Sequence, residues 1–79
     1  MPYLTNEDKK NIVIQRLRSA ESSQYNLQLN IKEINVMAVP DEATIDRINL
    51  QIADYSAEIT MLNSELDKIQ ADIDAANNG

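Results

Sequence analysis

The chain has 79 residues, 13 acids against seven bases for a net charge of −6, and neither cysteine nor histidine. No disulfide can reinforce a small core, the usual zinc and iron ligand sets cannot be assembled, and an acidic balance opposes an electrostatic grip on nucleic acid or anionic lipid. One glycine and two prolines point to a single helix-rich domain with no separate linker.

The opening stretch MPYLTNEDKK lacks the apolar core of a secretory signal, and no apolar run reaches the ~20 residues of a membrane span. A cytoplasmic or virion location is therefore expected. Thr5 with Asp8 three residues on is a variant of the capping box, so the first helix is expected to begin near residue 6 and to run to about 37. Within it Val13, Leu17, Ala20, Gln24, Leu27, Ile31, Ile34 and Ala38 recur at steps of 3 and 4. A competing signal lies in YNLQLNIK, residues 25 to 32, where Tyr25, Leu27, Leu29 and Ile31 alternate with polar residues as in a half-buried strand. The helix is the stronger reading, because the 3/4 phase persists through this segment.

MAVPDE separates the halves, with a turn expected at about 38 to 41. Pro40 needs no hydrogen-bond donor at a helix start, and Asp41 and Glu42 suit the positive end of the helix dipole. From about 42 to 76 the pattern is more regular. Ile45, Ile52, Ile59, Leu66 and Ile73 fall on one heptad position, and Ile48, Tyr55, Leu62, Ile69 and Ala76 on the other. Asn77, Asn78 and Gly79 supply a stop.

Two such helices joined by a short connection are expected to fold back as an antiparallel coiled-coil hairpin, an all-α fold. The register that centres the turn on Val39 and Pro40 pairs Ile34 with Ile45, Ile31 with Ile48, Leu27 with Ile52, Leu17 with Leu62 and Val13 with Leu66. It sets Lys9 opposite Asp72 and Arg16 opposite Glu65, unlike charges in both cases. Gln24 meets Tyr55 as the one polar layer, with the tyrosine hydroxyl expected to donate to the amide carbonyl.

A two-helix rod buries only one stripe of each helix, so further assembly or docking on a larger complex is expected. Tyr25, Leu29 and Val36 on the first helix, and Leu50, Ala53, Ala57 and Met61 on the second, form candidate contact surfaces, the latter continued by Ser64 and Ala71. Residues 1 to 39 carry five bases and four acids, residues 40 to 79 two bases and nine acids, so the halves attract.

Catalysis is not indicated. The serines and threonines have no histidine to activate them, and no glycine-rich loop exists to cradle phosphate. Acid pairs such as Glu7 with Asp8, or Asp72 with Asp74, read as solvated or dipole-placed charges, and no metal or other cofactor is implied. The expected role is a structural or assembly protein acting through protein partners, itself or a larger assembly, without direct nucleic-acid or membrane contact. Size, acidity and rod shape resemble in kind the minor virion and scaffolding proteins of tailed phages, with no shared motif. The alternative is a small inhibitor or adaptor whose acids, Asp46, Asp54, Glu58, Glu65, Asp67, Asp72 and Asp74, imitate a phosphate backbone and mask a partner.

Overall fold

The computed structural model describes residues 3–78. It contains two helices, α1 (Asn6–Asn35) and α2 (Glu42–Asn78), packed against each other as an all-α helical hairpin. At ~1.5 Å per residue the longer helix alone approaches the molecule's full length, so the helices lie side by side in a rod of 62 × 21 × 16 Å.

Each helix start is built by a side chain. Thr5 has an extended backbone and its hydroxyl accepts from the Asp8 N–H at 3.0 Å, while the Thr5 N–H donates to Asp8 Oδ2 at 3.1 Å. This reciprocal box satisfies two donors that a helix start otherwise leaves open. At α2 the cap is Asp41. Its Oδ1 accepts from the Thr44 N–H at 3.2 Å, its Oδ2 from the Thr44 hydroxyl at 2.7 Å, and its carbonyl from the Ile45 N–H at 3.1 Å. Pro40 sits just before this cap rather than inside the first turn, where its fixed backbone stiffens the approach.

The 25 to 32 segment is continuous helix, and no strand occurs among the described residues. A lone strand there would have had no neighbour to complete its hydrogen bonds, whereas the helix satisfies its backbone internally. α1 ends at Asn35, two residues before the expected 37. The Met37 N–H turns back to the Ile34 carbonyl at 3.1 Å, a tightened last turn, and the chain then crosses to α2 through 36–41. Proline disfavours helical geometry at Val39, and the β-branched Val36 and Val39 add nothing to prolong the helix. α2 runs to Asn78, two residues past the expected 76; Gly79, read as part of the stop, lies outside the described residues.

The core is one seam. Leu17 and Ala20 from α1 and Ile48, Leu62 and Ile69 from α2 are buried. Val13, Leu27, Ile31 and Ile34 from α1, and Ile45, Ile52, Tyr55, Ile59, Leu66 and Ile73 from α2, are half-buried beside them. Ala38 and Ala76, at the ends of the two heptad series, are exposed. Ala20, midway along α1, is the most buried of the core residues, at 3% exposure.

Candidate interaction surfaces

The side chains that can meet another molecule are those the seam leaves outside it. On α1 Tyr25 is 58% exposed, and just past its end Val36 is 85% exposed; on α2 Leu50 is 70% and Met61 52% exposed. Ala53 and Ala57 are exposed between them, and Ser64 and Ala71 continue the same track. Leu29, expected on the open surface with these, is half-buried. Met37 and Val39 in the connection are exposed as well, so the turn end of the rod is capped by apolar groups.

The polar layer differs from the expected one. Gln24 is half-buried and its side-chain amide crosses the seam, donating to the Ile52 carbonyl at 3.1 Å and to Ser56 Oγ at 2.7 Å. The Ile52 carbonyl can only accept, which fixes the amide's NH2 end toward it, and the two bonds use both amide hydrogens. Tyr55, the expected partner, takes no part in this layer. Gln24 instead bonds Ile52 and Ser56, the two ends of the helical turn that contains Tyr55. A long amide reaches backbone and hydroxyl acceptors on the adjoining helix more closely than it meets a tyrosine hydroxyl held out on a rigid ring. Tyr55 lines an open groove with Ser23, Asn26, Leu27, Gln51, Asp54 and Glu58. No buried side-chain polar atom among the described residues lacks a hydrogen-bond partner.

A second open groove near the helix ends is lined by Leu4, Lys9, Ile12, Val13, Glu65, Lys68, Ile69 and Asp72. Lys9 and Asp72 therefore share a groove, as the register requires, but they form no ion pair, and neither do Arg16 and Glu65. The ion pair present among the described residues is within α2, Lys68 to Glu65 at 3.6 Å. Both members are largely open to water, where a pair one turn apart needs less side-chain ordering than one spanning two helices.

Asp41 is the carboxyl whose titration the structure perturbs. The Thr44 hydroxyl, then the Thr44 N–H, hold it below the ordinary aspartate value, with Arg47 adding a smaller attraction. This is a helix cap and not a reactive site: its partners are all local, and Asp41 is fully exposed.

Among the described residues no three acids converge as a metal site requires, and no helix is long and apolar enough to cross a membrane. Sequence reasoning missed Ser56 as the partner of Gln24, and it missed Leu4 and Ile12 as groove-lining residues. The serine lies one position beyond the heptad core, and only the known reach of a glutamine amide could have drawn attention to it. No protein family, curated protein or solved structure matches the chain.

Proposed function

We propose that the protein is a non-enzymatic structural or assembly component that works through coiled-coil protein contacts, of the kind found in virions and scaffolds. The observation that carries this reading is the placement of large apolar side chains outside the seam. Tyr25, Leu50 and Met61 are each more than half exposed on helices whose inner faces are already matched. A solvated rod gains nothing from them, whereas a helix of a partner packing on these faces removes them from water. The open grooves contain no activated nucleophile, and none of their acids is buried to tune it for proton transfer.

One observation favours the second reading, an acidic inhibitor or adaptor. The expected cross-helix pairs of Lys9 with Asp72 and of Arg16 with Glu65 are not formed, and Asp46, Asp54, Asp67, Asp72 and Asp74 are all exposed. The two readings part on salt. Light scattering over a concentration series at low and high ionic strength is the test: mass that grows with concentration and survives added salt supports apolar assembly. A monomer that binds a basic nucleic-acid-binding protein only at low salt overturns it in favour of the charge mimic.

A further inference from the structure

The two open grooves are one feature repeated. Leu27 and Val13, Tyr55 and Ile69, and Glu58 and Asp72 hold corresponding places in them, two heptads apart, and every other residue of the first groove has its counterpart in the second at the same spacing. Two heptads return a coiled-coil helix to the same side, so both grooves lie along one long side of the hairpin, about 20 Å apart.

That side is apolar along its middle. Ile12 and Met61 on it are 42% and 52% exposed, and Val13, Leu27 and Tyr55 are only half-buried beneath. Its two walls differ in charge. In the heptad places that border the grooves α1 carries exposed Lys9 and Arg16 against Glu33, while α2 carries exposed Asp54, Glu58, Glu65 and Asp72 against Arg47 and Lys68. Asp8, one place outward on α1, is engaged in the Thr5 cap.

A half-turn about an axis parallel to the rod makes this side its own complement. It lays α1 of one copy over α2 of the other, and α2 over α1, at equal heights. In the hairpin's own register Glu33 then lies over Arg47, Asn26 over Asp54, Ser19 over Met61 and Ile12 over Lys68. The first pair is of unlike charge, an amide can donate to the carboxylate in the second, and the last two set apolar groups on a small residue and an aliphatic stem. Arg16 comes beside Glu65 of the opposite copy and Lys9 beside its Asp72. Lys9 near Lys68 is the like-charge approach, and Glu65 and Asp72 flank it. Laying α2 on α2 instead brings the four acids of each copy together.

We infer that this side is the interface of a symmetric dimer, two copies of the chain stacked groove to groove as a four-helix bundle with both turns at one end. The inference deepens the assembly reading and rests on it.

Sedimentation equilibrium with circular dichroism on the full chain tests it. The wild type should dimerise, and Met61→Lys, at an exposed position, should keep its helicity and dimerise at least about tenfold more weakly. Charge reversal is the decisive arm. Glu33→Arg alone opposes base to base twice across the symmetry axis, and Arg47→Glu alone opposes acid to acid twice, so each should weaken the dimer about three- to tenfold. An equimolar mixture of these two variants should regain the wild-type affinity as a one-to-one heterodimer, because every opposed pair is again unlike. Contacts inside a single hairpin cannot respond to mixing. A mixture no tighter than its components overturns the groove-to-groove dimer, and a wild type that still self-associates then leaves the assembly reading standing. A folded wild type that stays monomeric at every concentration overturns the inference and removes self-assembly from the broader reading.

Discussion

At the residue scale the most informative side chain is Gln24, because it is the point where two apolar helices are tied by hydrogen bonds. Its amide supplies both donors to α2. Replacement by leucine removes both bonds but leaves the Ile52 carbonyl accepting within its own helix and Ser56 in contact with water. Gln24→Leu should therefore change stability by no more than ~1 kcal/mol in either direction. Gln24→Glu sets a carboxylate against a carbonyl oxygen with no donor to offer, and should cost ~1 to 3 kcal/mol in chemical denaturation. Equal effects from the two would mean that the hydrogen bonds do not position the helices.

Asp41 gives a pH prediction with a definite sign. Its carboxyl is held below the ordinary value, so the charged form is favoured in the fold. The stability it contributes is present above the unfolded value of ~3.9 and is lost as pH falls through the lower folded value. Asparagine can also cap a helix but carries no charge. The wild type should melt above Asp41→Asn at neutral pH, and the gap should close below about pH 4. A gap that stayed constant into acid would mean that the charge contributes nothing at the cap.

At the scale of the elements, both helices were legible because each declares itself twice, by a starting residue and by a sustained 3/4 repeat. Thr5 with Asp8 marks a start that the structure builds atom by atom. The alternation in residues 25 to 32 competes with the helical repeat in part because Tyr25 is apolar on a surface the seam does not cover. The expected ion pairs were not legible: heptad positions set which side chains neighbour each other, not which rotamers exposed charges adopt. The partner of Gln24 was hidden for a related reason, since a backbone carbonyl is invisible to any pattern of side chains. Two substitutions test the elements. Asn30→Pro, on an exposed position inside α1 short of its end at Asn35, should cost ~3 kcal/mol or more and lower the helical circular dichroism signal, whereas an extended segment would tolerate it. Ala20→Leu should cost ~1 to 3 kcal/mol in urea, because Ala20 is the most buried side chain of the seam and added carbons there must displace its neighbours.

For the whole molecule, shape carries the argument that mass alone does not. The hairpin has a radius of gyration of 18.0 Å and a long axis of 62 Å, with a cross-section of only two helices. Apolar groups lie both on the flanks, at Tyr25 and Leu50, and on the tip, at Val36, Met37 and Val39, so assembly through the tip is the geometric competitor of assembly through the flanks. Each helix added sideways widens the particle by ~8 to 10 Å, whereas an end-to-end contact lengthens it by most of a rod. Small-angle X-ray scattering at rising concentration separates them. If the flanks are used, a doubling of mass should leave the longest dimension near that of the single rod while the cross-sectional radius grows. If the tips are used, the longest dimension should roughly double at constant cross-section, and Val39→Lys, not Leu50→Lys, should then be the substitution that abolishes assembly.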